Sequence, residues 1–227
     1  MRISFRVKSN NTLYLRDPEQ TELGRKIINW GILLIDKLGF DDFSFKKLAI
    51  EIESTEASIY RYFENKNKLL IYLISWYWSW VNFRIDYQTN NIKDPMEKMK
   101  IVIKVISESF KDDPDTEHVD EEALSRVVGL ESSRLYMSKN IENEYKEGSF
   151  EAYTELCNKV CNIIKDVNPD YATPKALFNT VIWTAHKQIF FATTLPELTE
   201  LKVENKNNTI DITKFLENLT FNLLKAK

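Results

Sequence analysis

Few side chains in this chain are equipped for nucleophilic, acid–base or metal chemistry. In 227 residues there are two histidines, His118 and His186, and two cysteines, Cys157 and Cys161. The cysteines stand four apart in a stretch with helical spacing, a poor geometry for a disulfide and too sparse a set for zinc. His118 lies among Glu117, Asp120, Glu121 and Glu122, which reads either as a cation site or as a solvated charge run. His186, beside Trp183 and Phe190 on a helical pattern, reads as a pocket or core polar group rather than a base. No Gly-x-Gly-x-x-Gly, Walker loop, nucleophile elbow or His-x-x-x-His spacing occurs. The expectation is a protein that is not an enzyme, with no cofactor and no metal. What remains is recognition chemistry. Between Thr55 and Lys66 stand hydroxyls (Thr55, Ser58, Tyr60, Tyr62) and cations (Arg61, Lys66), types that donate to phosphate oxygens, with Glu56 and Ala57 among them.

These side chains need short, firmly held helices. In Phe43–Leu70, Ser44 is placed as an N-cap, with Phe43 and Leu48 as a hydrophobic staple around it. Phe45, Leu48, Ala49 and Ile52 recur at i, i+3, i+4, i+7 and predict one short helix. Ser54-Thr55 predicts a second N-cap, and Ile59 and Phe63 give the next helix its inward face. Two such helices bury too little alone, so a third must cross them. Glu19–Leu38 supplies it, with Ile27, Trp30, Leu34 and Leu38 on one side, Ile28 and Ile35 flanking, and Gly39 as its left-handed cap. The expectation is a helix-turn-helix unit.

The stretch LGRKIINWGILLIDKLGFDDFSFKKLAIEIESTEASIYRYFENKNKLL resembles the N-terminal DNA-binding domain of the Tet-repressor (TetR) family over about a fifth of the chain. The likeness rests on a helix ending in Gly-Phe and a capped second helix carrying Leu-Ala. It also rests on a (Ser/Thr)-x-x-(Ser/Thr)-(Ile/Leu)-Tyr-x-Tyr-Phe recognition helix and an Asn-Lys before Leu-Leu. The chain departs from the family pattern in two places: Glu53 and Ser54 replace the usual turn glycine and the apolar residue after it, and Glu56 stands where a basic or small residue is frequent. The resemblance implies that Thr55, Glu56, Ala57 and Ser58 meet base edges and adjacent phosphates. It implies that Tyr60 and Tyr62 offer hydroxyls to the backbone, that Lys66 contacts phosphate and that Arg61 takes a variable place. Arg25, Ser44 and Lys46 complete the expected contact set. The competing reading is that one of the two tyrosines is mostly core and pins the reader to the first helix; Tyr60 lies close to the Ile59–Phe63 face.

Composition agrees with a globular protein: 43% hydrophobic, 29% charged, five glycines and six prolines. Net charge is −3, split unevenly. Residues 1–70 carry twelve Lys/Arg against ten Asp/Glu, and the remainder nineteen against twenty-four. Arg2, Arg6, Lys8 and Arg16 lie in the first sixteen residues without an acid, so local rather than overall charge bears on phosphate binding. Apolar runs are broken by charge before a bilayer span, and the first residues carry no signal-peptide pattern, so no membrane partner and a reduced, cytoplasmic location are expected. Residues 1–18 form an arm that either reaches into a minor groove or packs back on the domain.

Beyond Asn67 the pattern is a run of helices. The first is apolar around most of its circumference, with Leu69, Leu73, Trp76, Trp80, Phe83 and Tyr87 in one stripe, and belongs inside a bundle. Trp76, Tyr77, Trp80 and Phe83, with Trp183 and His186, are candidates for an effector pocket; core packing is the competing reading. Further helices are expected from Pro95 to about Phe110, Ala123 to Met137, Ser149 to Val167, Pro174 to Leu195 and Ile210 to Ala226, with 139–148 as a separator. The last two resemble the family's dimer interface, for which Phe178, Ile182, Trp183, Ile189, Phe190, Phe215, Leu219 and Leu223 are candidates. The expected architecture is all-α, with an arm and helix-turn-helix domain over 1–66 and a helical effector-binding and dimerisation domain over 67–227. The expected function is a ligand-responsive transcriptional regulator, a repressor, binding a palindromic operator in double-stranded DNA as a homodimer and answering to a small apolar or aromatic effector. The alternative is a helical interaction protein that keeps the fold without specific DNA binding, a reading that Glu53 and Glu56 admit.

Overall fold

The computed structural model of the chain describes residues 13–108, 119–137, 141–203 and 210–225. The regular structure there is helical throughout, with no strand among the described residues. In chain order the helices are α1 (Glu22–Leu38), α2 (Phe45–Glu51), α3 (Glu56–Tyr60), α4 (Lys66–Thr89), α5 (Pro95–Ser107), α6 (Glu121–Tyr136), α7 (Ile141–Lys146), α8 (Glu151–Val167), α9 (Pro174–Thr194) and α10 (Ile210–Lys225). Two 3-10 turns, Pro18–Gln20 and Pro196–Leu198, add to them.

The starts follow the capping chemistry. Thr21, Ser44, Thr55, Asp94 and Asp120 each accept a backbone N–H from the first turn of their helix. The first helix begins at Glu22 rather than Glu19 because Pro18–Gln20 forms its own turn under an Asp17 cap. That turn lies so close to α1 that a Cβ on Gly24 would stand 2.1 Å from the Pro18 carbonyl oxygen; only glycine fits. Gly39 closes α1 at φ 76°, as its cap position requires. The reading of 139–148 as an irregular separator is corrected, since Ile141–Lys146 is a short helix. It carries no apolar stripe and no buried residue, so periodicity had nothing to detect.

The described residues fall into two compact units that do not follow chain order. The first draws on Met1–Trp80 and Asp112–Ala152, the second on Val81–Lys111 and Tyr153–Lys227. In the first, Ile27, Ile28, Ile32, Leu48, Ile59, Phe63, Leu69 and Leu70 of the N-terminal helices are fully buried, as are Leu124 and Val128 of α6. The long apolar run behaves as expected over its first half. Every residue from Leu69 to Trp78 is buried, whichever way it points around α4.

In the second unit α5, α9 and α10 pack against one another. Val102, Val105, Val181, Ala185, Ile212 and Leu216 make its centre. Polar ties join the elements: Tyr153 Oη to Asn179 Oδ1 at 2.6 Å, Asn168 Nδ2 to the Leu224 carbonyl at 2.9 Å, and Ser107 Oγ to Thr213 Oγ1 at 2.7 Å. No helix among the described residues is long and apolar enough to cross a membrane.

Candidate nucleic-acid interface

The interface is built from how α2 ends and α3 begins. Leu48, Ala49 and Phe45 turn inward and set α2 on the core. At its C-terminus Ser54 N–H donates to the Ala49 carbonyl at 2.8 Å and Glu53 N–H to the Ile50 carbonyl at 3.2 Å. This is the paired closure of a Schellman motif, and it puts Glu53 in the left-handed region at φ 51°. The position where the resemblance expects glycine therefore does need a left-handed residue. Thr55 then caps α3, its Oγ1 accepting from Ser58 N–H at 3.2 Å.

Three residues hold α3 to the core: Ile59, Tyr62 and Phe63 are essentially inaccessible. Thr55, Glu56, Ala57, Tyr60 and Arg61 are exposed and Ser58 is half-buried, so the opening turn of α3 faces outward. The side chains there form a short hydrogen-bonded chain. Arg61 Nη2 donates to Ser58 Oγ at 3.2 Å, and Ser58 Oγ lies 3.0 Å from Thr55 Oγ1.

Of the two tyrosines, Tyr62 is the inward one. Its hydroxyl lies 2.8 Å from Thr21 Oγ1, and the Arg16 guanidinium sits 5.4 Å over its ring. Tyr60 is 48% exposed, its ring edge-on to Phe45. Helical spacing sets both tyrosines beside the Ile59–Phe63 face and does not choose between them; the contact with Thr21 takes Tyr62 inward. With 2% exposure, Tyr62 has no surface for phosphate in this conformation and acts as an anchor.

The cations divide sharply. Lys66 Nζ donates to the carbonyls of Phe40, Asp41 and Phe43 at 2.9, 3.1 and 3.0 Å and sits 4.7 Å over the Phe40 ring. An ammonium has three protons, and all three are engaged in tying the α1–α2 turn to α4. Arg25 Nη1 donates to the Glu19 carbonyl at 2.8 Å, and Lys47 Nζ to that of Asp42 at 2.7 Å. Ser44 is occupied as the α2 cap. Lys46, like Arg61, is exposed.

A set of ion pairs that sequence separation hides holds the same corner. On α6, Arg126 donates from Nη2 to Asp36 Oδ2 at 2.8 Å and from Nη1 to Glu122 Oε1 at 2.7 Å. Two turns on, Arg134 makes a fork to both oxygens of Asp41 at 2.8 and 2.7 Å. Glu131 bonds Arg134 with one oxygen and accepts Phe40 N–H with the other. The Arg134 guanidinium keeps Asp41 below the usual carboxylate range. Lys68 of α4 pairs with Glu144 and Glu147, each at 2.9 Å. Burial depresses its ammonium pKa, but the bonds to the two carboxylates outweigh that and the net shift is upward. Apart from the local Glu122–Arg126 and Glu131–Arg134 pairs, these partners stand 76 to 93 residues apart, where no local pattern announces them.

The other candidates are placed as follows. Trp76, Tyr77 and Trp80 are buried in the first unit, with Tyr77 edge-on to Trp78 at 4.8 Å. Phe83, Trp183 and His186 belong to the second unit. There Phe83 stacks on the exposed Tyr87, and burial lowers His186 to about 4. On α10, Ile212, Leu216, Thr220 and Leu224 face inward, which turns Phe215, Leu219 and Leu223 outward as a stripe. Trp183, Ile189 and Phe190 on α9 are half-buried. Phe178 and Ile182, at 1% and 2% exposure, are core of their own unit, Phe178 against Tyr153, and add nothing to an outer surface. Cys157 and Cys161 are free and buried, their sulfurs 4.0 Å apart. The arm is described only from Leu13: Leu13 is buried, Tyr14 meets Tyr72 edge-on, and Leu15 N–H donates to the Tyr62 carbonyl at 2.8 Å. Arg2, Arg6, Lys8 and His118 lie outside the described residues.

No curated protein sequence matches the chain. Among solved structures, the fatty acid degradation regulator FadR from Bacillus halodurans is similar at 17% identity, covering 88% of this chain and 94% of that one, with a TM-score of 0.60. AibR in complex with isovaleryl coenzyme A and operator DNA is similar at 11% identity, covering 87% and 98%, with a TM-score of 0.61. The ketosteroid transcriptional regulator KstR2 of Mycobacterium tuberculosis follows at 10% identity, 90% and 95% coverage and a TM-score of 0.58. At these identities the likeness is one of fold. Residues 27–73 match the family described as bacterial regulatory proteins, tetR family, a span that runs from α1 through the reader into α4. The match to the tetR family of bacterial regulatory proteins is thus confined to residues 27–73, and over the whole chain the fold is similar to that of these solved regulators.

Proposed function

We propose that the chain is a ligand-responsive transcriptional repressor that binds a palindromic operator in double-stranded DNA as a homodimer. The observation that carries the reading is the exposed opening turn of α3. Its donors and acceptors face outward while Ile59, Tyr62 and Phe63 fasten it to the core. A second copy is needed because a palindrome is read by two such helices about one turn of DNA apart. The outer stripe Phe215–Leu219–Leu223 on α10, with Trp183, Ile189 and Phe190 on α9, supplies apolar surface for that pairing. In this reading residues 1–66 bind DNA, and residues 67–227 sense an apolar or aromatic small molecule and set the spacing of the readers. AibR, of the same fold, was solved with an acyl-coenzyme A and operator DNA together, which supports a ligand coupled to DNA binding. Effector would lower operator affinity only as far as it prefers the bundle state in which the two readers no longer match successive major grooves.

A second reading, an interaction module without specific DNA binding, draws on the exposed acids Glu51, Glu53, Glu56 and Glu64 around the reader and on the engagement of Lys66 and Lys68 within the chain. Selection of bound duplexes from a random pool by the purified protein, at low and near-physiological salt, separates the two. The proposed function expects a palindrome with half-sites about one helical turn apart. Sequence-blind recovery, or none, overturns it in favour of the interaction module.

A further inference from the structure

The acid in the reader has a use that its charge alone conceals. Glu56 is the first residue of α3, exposed, and makes no hydrogen bond or ion pair among the described residues. Its neighbours are spoken for: Thr55 Oγ1 caps the helix, and Ser58 Oγ is held by Arg61 and Thr55. Ala57 has no polar atom. Glu56 is thus the one side chain in this opening turn whose polar atoms are all unengaged among the described residues.

A carboxylate at a DNA surface has few partners. Phosphates repel it, and so do the acceptors that guanine and thymine present in the major groove. Only exocyclic amines remain, N4 of cytosine and N6 of adenine. Adenine sets the N7 acceptor beside its amine, facing the second carboxylate oxygen, whereas cytosine presents the amine alone. We propose that Glu56 selects cytosine at one position of each half-site, its carboxylate accepting from the cytosine N4 amine. The assignment rests on the DNA-binding reading above and deepens it. The same charge lowers affinity for every sequence lacking that amine, so it trades general phosphate attraction for discrimination.

Glu56 could instead serve only the helix, as an acid at the positive end of α3. That role would alter stability and leave sequence preference alone, which makes preference the deciding readout. Duplex selection is run in parallel on the wild type, Glu56→Gln and Glu56→Ala, with thermal unfolding of each to establish that the variants are folded. The expected result is a wild-type motif with cytosine at one position per half-site. Glu56→Gln should move that position towards adenine, which glutamine meets with paired bonds, and Glu56→Ala should relax it, other positions staying as they were. The change at that position should be about tenfold in relative enrichment. Motifs that are the same in all three proteins, or a changed position holding a base other than cytosine in the wild type, overturn the assignment while leaving DNA binding intact. No motif in the wild type removes the DNA-binding reading itself, and the assignment falls with it.

Discussion

Replacing Glu53 by glycine should stabilise the protein, and the structure sets how much. Glu53 holds φ at 51° to complete the turn between α2 and α3, and its side chain is exposed without a hydrogen bond or ion pair among the described residues. A residue with a Cβ costs about 1–2 kcal/mol in the left-handed region, a strain that glycine lacks. Against this, glycine loses about 0.5–1 kcal/mol more chain entropy on folding. The difference favours Glu53→Gly by roughly 0.5–1 kcal/mol, or about 1–4 °C in melting temperature for a chain of this size. The assay is urea and thermal unfolding of the wild type, Glu53→Gly and Glu53→Ala. Alanine removes the charge but keeps the Cβ, so it should recover little of the gain. If Glu53→Ala stabilises as much as Glu53→Gly, relief of charge and not backbone strain is responsible. If Glu53→Gly is neutral or destabilising, the turn is not strained as its dihedral implies.

Two further outcomes follow from the described geometry. Lys66→Ala should cost about 2 kcal/mol of unfolding free energy, because three carbonyls of the α1–α2 turn lose a charged donor. The salt slope of its DNA binding should match the wild type, since the ammonium is already engaged; a shallower slope would return Lys66 to the phosphate contacts. His186, lowered by burial to about 4, takes up its proton in the unfolded chain first, near 6.5. Its contribution is therefore complete above pH 6.5 and is lost as pH falls towards 4, by about 3 kcal/mol in all. Stability of wild type and His186→Gln measured across pH 4–7 should diverge accordingly, and parallel curves would refute a neutral, desolvated imidazole.

Much of the reader was legible in local chemistry. Capping at Ser44 and Thr55, the inward set Leu48, Ala49, Ile59 and Phe63, and the glycine end of α1 each depend on residues within a few positions of one another, and local sequence dictates such contacts. The fully apolar start of α4 declared its own burial in the same way. Which of Tyr60 and Tyr62 turns inward was not legible, because helical spacing sets both beside the Ile59–Phe63 face. Packing then decided that Tyr62 closes on Thr21 while Tyr60 stays outside. The fate of Lys66 was equally a tertiary matter, since the carbonyls that take its protons lie more than twenty residues away, at the α1–α2 turn. So was the choice between Phe178 and Phe215 as surface, which depends on which helix each meets within its unit. The residues themselves determined a helix-turn-helix and its cap chemistry because those are short-range properties of the chain. Which cations and hydroxyls remain available to a partner was decided only by the fold, because an ammonium or a phenol bonds whatever the packed chain brings within 3 Å.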